Sequence, residues 1–165
     1  MFDTVKQIAK KKHMLRKWLV KSEELAEKWI REESKQKSRT IVQRGIYLAT
    51  LGENIGGEMN TNPDYNEERP VLVISNNIVN TNNSNVIIVP LTSTIKTVER
   101  NGKIVPRVRS HYILSKLKYQ FLSNDSTIKT EQIRTVSKVR LSKMMGMIDE
   151  EDYKRVKTRI NTLID

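Results

Sequence analysis

Cysteine is absent from the 165 residues, which removes disulfides, thiol nucleophiles and cysteine-based zinc sites. Histidine occurs twice, at His13 and His111, so a histidine-rich metal site cannot be assembled within one chain. Metal-independent chemistry without a cofactor is the expectation. Long apolar runs are missing too. No window approaches the ~20 apolar residues of a membrane helix, so no spanning segment is expected. Residues 1–20 hold Lys6, Lys10, Lys11, Lys12, Arg16 and Lys17 but no apolar core or small-residue cleavage site, which argues against a secretory signal. These absences fit a reducing cytoplasm.

Positive charge is abundant, with a formal net charge of +11. It is unevenly spread. Residues 1–44 carry 13 basic and 6 acidic side chains, whereas residues 45–165 carry 17 and 13. Such a balance favours a polyanionic partner, nucleic acid before membrane, through phosphate contacts and counterion release; solubility charge is the plainer explanation.

Two periodicities divide the chain. From Phe2 to about Ser34 apolar residues fall at helical spacing (Val5, Ile8, Leu15, Trp18, Leu19, Leu25, Ala26, Trp29, Ile30), which predicts one bent helix or two short ones. Residues 34–43 read as a polar link. From Gly45 onward the pattern turns to short strands: 46–50, 71–74, 86–91, 107–114 and 126–134. Residues 52–68 form a loop too long for a hairpin turn, and Asn76–Asn85 reads as an Asn-rich turn. Residues 137–144 predict a short helix. Residues 149–163 predict a firmer one, with Asp149 as N-cap and an apolar stripe of Tyr153, Val156, Ile160 and Leu163. The expected fold class is α+β, mainly β with helices: residues 1–42 form a basic amphipathic helical extension, and residues 43–165 a small β-barrel domain.

Five blocks, in order, carry a resemblance: Arg44–Ala49, Gly56-Gly57-Glu58, Glu68–Asn76, Ile88–Ser93, and Asp125-Ser126 with Glu131–Thr135. Together they resemble the MazF/PemK family of toxin endoribonucleases. The resemblance implies an SH3-like, CcdB-like barrel that forms a homodimer, cuts single-stranded RNA at short sequences without a metal, and is blocked by a cognate antitoxin. By position, it implies that Arg69 and Thr92 are the catalytic pair, that Lys129 and Glu131 stand where some members carry catalytic side chains, and that the 52–68 loop gates the RNA groove. The chain departs from the pattern in its shortened Arg44-Gly45-Ile46-Tyr47 opening, in the loop extension Asn60–Asn66, and in residues 1–42, which have no counterpart in the minimal domain.

The residues can be weighed by their own chemistry. Metal-free RNA cleavage needs a base for the ribose 2′-hydroxyl, a cation or donor for the pentacoordinate phosphorane, and a proton for the leaving 5′-oxygen. The Arg69 guanidinium suits the second role, since its fork donates two hydrogen bonds to phosphoryl oxygens; pairing with Glu67 or Glu68 is the structural alternative. Thr92 can donate to phosphate or cap its own turn, Thr92-Ser93-Thr94, and Ser93 reads as a neighbouring RNA contact. Glu131 is a general base if burial raises its pKa, or else an ion-pair partner of Arg134 or a lysine. Lys129, two residues earlier on an expected strand, would share its face. Arg107 and Arg109 read as a phosphate track, Tyr65 as a residue stacking on an unpaired base or a plain solvent-facing loop tyrosine, and His111 as a proton donor or a structural histidine.

For the extension, four roles stay open: packing on the barrel or a dimer mate, recruiting nucleic acid through Lys10–Lys12, occupying the antitoxin's groove, or lying on a membrane surface. The rival to an RNA-cleaving enzyme is a catalytically silent module on the same barrel, aimed at a protein such as gyrase or at nucleic acid. In that case Arg69, Thr92 and Glu131 would be scattered.

Overall fold

The computed structural model describes residues 2–65 and 67–164. Two helices come first, α1 (Phe2–Arg31) and α2 (Glu33–Ser38). They are followed by strands β1 (Gly45–Ala49) and β2 (Arg69–Val73), helix α3 (Asn77–Asn82), and strands β3 (Asn85–Thr92), β4 (Thr97–Arg100) and β5 (Lys103–Pro106). Strands β6 (His111–Leu114), β7 (Ser126–Lys129), β8 (Arg134–Ser137) and β9 (Leu141–Met147) lead into helix α4 (Glu150–Asn161). Among the described residues, no helix is long and apolar enough to cross a membrane.

Among the described residues, seven strands form one antiparallel sheet in the order β6-β7-β3-β2-β1-β9, with β8 also on β3. β3 changes partner along its length: residues 85–88 pair with β8, and Leu91 and Thr92 pair with β7. The change falls around Pro90, which has no N–H to give to a neighbour. β2 and β3 are apolar at successive positions because the curved sheet is covered on both faces. Leu72 and Val89 join Tyr153, Val156 and Ile160 of α4 in one core. Val71, Val73 and Ile88 join Tyr47, Leu51 and Leu141 in the other.

The expected α+β class, with a helix over 150–161, is what is found. Asp149 caps α4, accepting from the Asp152 amide at 2.8 Å. Leu163 lies beyond the helix and is exposed. Several local expectations differ. The extension is a 30-residue helix, α1, followed by the short α2, rather than two short helices. The first half of the polar link is helical and the rest is anchored: Arg39 donates to the carbonyls of Lys138, Leu141 and Ser142. The buried Lys138 ammonium donates to the carbonyls of Lys37, in the last turn of α2, and of Arg39, just after it, where carbonyls left over from a helix need donors. The Asn-rich turn contains α3, whose cap Asn76 accepts from the Val79 amide at 2.8 Å. Residues 137–144 are not a helix but a 3₁₀ turn and then β9, because the open edge of β1 offers a hydrogen-bonding partner that local propensity does not reveal.

Candidate active site

Arg69 opens β2 at the foot of the 52–68 loop. Its Nε donates to the Asn60 carbonyl at 2.8 Å, Nη1 lies 3.4 Å from the Leu91 carbonyl, and Nη2 lies 3.6 Å from Glu67 Oε1. Both carbonyls hold the group on its protein side and leave further N–H donors for a ligand. Thr92 ends β3, and the pairing of β3 with β2 sets it beside Arg69. Its Oγ1 accepts from the Thr94 amide at 3.2 Å, so the hydroxyl proton is available to another acceptor. Arg69, Thr92 and Ser93 line one open cleft of about 220 Å³, together with Glu67, Glu68 and the polar residues Ser123, Asn124 and Ser126.

Glu131 is not in that cleft. β7 ends at Lys129, and Glu131 sits in a 3₁₀ turn (Thr130–Gln132), so the strand alternation that would align it with Lys129 does not apply. Its carboxylate takes His111 Nε2 at 2.8 Å and the Ser110 hydroxyl at 2.9 Å. Burial pushes the Glu131 carboxyl up, but the bonds from His111, the backbone and Ser110 outweigh it and hold the carboxyl below the usual glutamate value. The raised pKa that a base near neutrality needs is therefore not found.

A second cleft, of about 510 Å³, lies on the His111 side. Arg109 lines it, and so do Arg100, Lys103, His111 and Arg159, with no acidic side chain among the described residues that line it. Arg159 donates from Nε to the His111 carbonyl at 2.9 Å and stacks 4.7 Å over the Tyr112 ring. Lys129 is half-buried across the ladder from His111. Arg107 is exposed just outside this cleft, its carbonyl accepting from Arg100 Nη2 at 3.2 Å. Tyr65 is 81% exposed on the 3₁₀ turn Pro63–Tyr65, next to Asp64, which lies 3.3 Å from His13 of α1.

Arg100, Lys103 and Arg159 were not among the expected contacts. For the first two a signal existed: Val98–Val105 contains Asn101-Gly102, the dipeptide of a tight hairpin, and both residues have positive φ (51° and 70°). Arg159 carries no such mark, since its place beside His111 depends on how α4 docks.

Residues 43–164 match the family described as the PemK-like, MazF-like toxin of type II toxin-antitoxin systems. The chain belongs to this family. Among relatives, Endoribonuclease EndoA of Bacillus subtilis is 32% identical over 117 residues, covering 70% of this chain and 88% of its own. Among solved structures, MazF of Deinococcus radiodurans superposes with a TM-score of 0.59 at 14% identity, covering 76% of this chain and 97% of that one. A MazE–MazF structure from the same organism gives 0.54 at 12%, covering 76% and 96%. At these identities the structural likenesses establish a MazF-like fold. α1 and α2 lie outside the family match.

Proposed function

We propose that the chain is the toxin of a toxin-antitoxin pair, a metal-independent endoribonuclease that cuts single-stranded RNA at selected sequences. The observation that carries this reading is the convergence of Arg69 and Thr92 on one open cleft. In the reaction, the ribose 2′-oxygen bonds to phosphorus, the bond from phosphorus to the 5′-oxygen breaks, and a 2′,3′-cyclic phosphate and a 5′-hydroxyl result. The guanidinium of Arg69 takes the phosphoryl oxygens as charge builds on them, and the Thr92 hydroxyl donates a further bond, with Ser93 beside it. Glu67 and Glu68 line the same cleft; in this reading one of these carboxylates takes the 2′-hydroxyl proton, and solvent water protonates the leaving 5′-oxygen.

In this assignment Glu131 is moved from general base to the group that orients His111. Two of the three expected catalytic residues converge and one does not, and the pair that converges is the one needed to stabilise phosphorane charge. Arg109 and Lys129, with Arg100, Lys103 and Arg159, give the RNA backbone a second basic surface. Arg107 extends it, and the exposed ring of Tyr65 offers a stacking platform for an unpaired base. The MazE–MazF structure among the neighbours supports a cognate antitoxin as protein partner, and the family membership supports a homodimer.

The product chemistry is tested by cleaving a synthetic single-stranded RNA and weighing the fragments by mass spectrometry. The expected upstream fragment carries a cyclic phosphate, about 18 Da lighter than a linear phosphate by the loss of one water. A linear 3′-hydroxyl with a 5′-phosphate downstream would contradict attack by the 2′-oxygen.

A further inference from the structure

Helix α1 lies outside the family match, yet it is tied to the loop that holds Arg69. The Lys11 ammonium contacts Glu53 Oε1, and the Glu53 side chain is only 4% exposed. The second oxygen of Glu53 accepts from Asn60 Nδ2 at 3.0 Å. The Asn60 carbonyl in turn accepts from Arg69 Nε at 2.8 Å. A path thus runs from the extension through the side chains of Lys11, Glu53 and Asn60, and then through the Asn60 backbone carbonyl, to the guanidinium.

A second tie fixes the stem of the same loop. Trp18 lies so close to Gly52 (φ +80°) that a Cβ there would fall 2.2 Å from the indole ring. Arg140 sits 5.1 Å over that ring and donates to the Leu51 carbonyl at 3.0 Å. Thr61 Oγ1 accepts from the amides of Leu51 and Gly52 at 3.0 and 2.9 Å, closing the stem.

We propose that α1 is a built-in clamp on the catalytic loop, with Lys11 acting through Glu53 and Asn60 to aim Arg69 at the scissile phosphate. The proposal rests on the reading of Arg69 as the catalytic cation. Lys11, Glu53 and Asn60 are positioning residues, since none of them lines the cleft. The physical reason is local. Burying a carboxylate costs free energy unless it is paired and hydrogen-bonded, and Lys11 is the cation that pairs with Glu53. Without it Asn60 loses its anchor, and the carbonyl that pins Nε is free to turn. A small misplacement of a transition-state donor costs rate more than binding.

The test is steady-state cleavage of a single-stranded oligonucleotide by the full chain and its variants. Lys11→Met should lower kcat about tenfold or more while KM stays within about twofold. Lys11→Arg should retain activity. Lys12→Met makes the same charge change at an exposed position one residue on and should leave both constants unchanged. The double variant Lys11→Met/Glu53→Gln removes the stranded charge, which guards against misfolding, and should remain slow. A Lys11→Met chain that behaves like Lys12→Met would overturn the clamp, as would a change confined to KM, which would make the helix an RNA-recruiting arm. Full activity in the double variant would also overturn it, because the tie would then serve stability alone. Arg69→Ala is run alongside: if it cuts at the wild-type rate, the catalytic reading fails, separately from the clamp.

Discussion

Replacing Glu131 by Gln separates holding the fold together from taking part in the reaction. The substitution keeps shape and an acceptor but removes the charge that meets His111 at 2.8 Å and Ser110 at 2.9 Å. The His111 side chain is 9% exposed, that of Glu131 32%. A hydrogen bond to a charged group contributes about 1.5–3 kcal/mol, and partial solvent screening of Glu131 reduces this to about 1–2 kcal/mol. For a chain of this size the melting temperature should fall by roughly 3–6 °C at neutral pH. The pH dependence has a definite sign. Because the folded carboxyl lies below its usual value, its contribution is full above the unfolded pKa of about 4.3 and is lost as pH falls through the folded value. The gap between wild type and variant should therefore narrow in acid. RNA cleavage by Glu131→Gln should stay within about threefold of wild type, since Glu131 lies outside the Arg69 cleft. The assays are thermal unfolding from pH 7.5 downward and cleavage at neutral pH. A stability gap that does not narrow in acid would rule out the charged pairing of Glu131 as its source. A loss of cleavage of about a hundredfold would return Glu131 to the role of base.

Two further outcomes follow from the clefts. Thr92→Val keeps the strand and removes the hydroxyl, so kcat should fall about ten- to a hundredfold with the melting temperature little changed; unchanged kinetics would remove Thr92 from the reaction. Arg109→Ala should weaken binding of single-stranded RNA and lower the slope of log affinity against log salt by about 0.7 for each phosphate no longer neutralised; an unaltered slope would show that the basic cleft does not meet the backbone.

Much of the fold is legible in the chain because burial on both faces leaves a plain mark. The apolar runs of β2 and β3 and the capped, striped α4 need no tertiary information to be seen. What escapes is whatever a partner element decides. Leu141–Met147 has no strand signature beyond an edge of β1 to pair with, and its run of methionines and a serine suits a helix as well. Asn76–Asn82 looks like a turn because asparagine favours turns, but a cap at Asn76 and the buried Asn80, bonded to Ser75, close a short helix there. The site divides in the same way. Arg69 and Thr92 sit at strand ends beside recognisable runs, so their meeting follows from the pairing of β2 with β3. Glu131 is expected beside Lys129 only if β7 continues, and the 3₁₀ turn at Thr130–Gln132 redirects it towards His111. The path from Lys11 to Glu53 and Asn60 joins α1 to a loop 42 residues on, each an ordinary surface residue by type, and only docking of α1 brings Lys11 to the other two.

Whether Arg69 serves metal-free cleavage of RNA is decided by incubating the purified chain with a long, unstructured RNA in EDTA, beside Arg69→Ala. Discrete fragments with 5′-hydroxyl ends are expected from the wild-type chain and none from the variant. Intact RNA in both, or equal cleavage by both, would contradict the role given to Arg69.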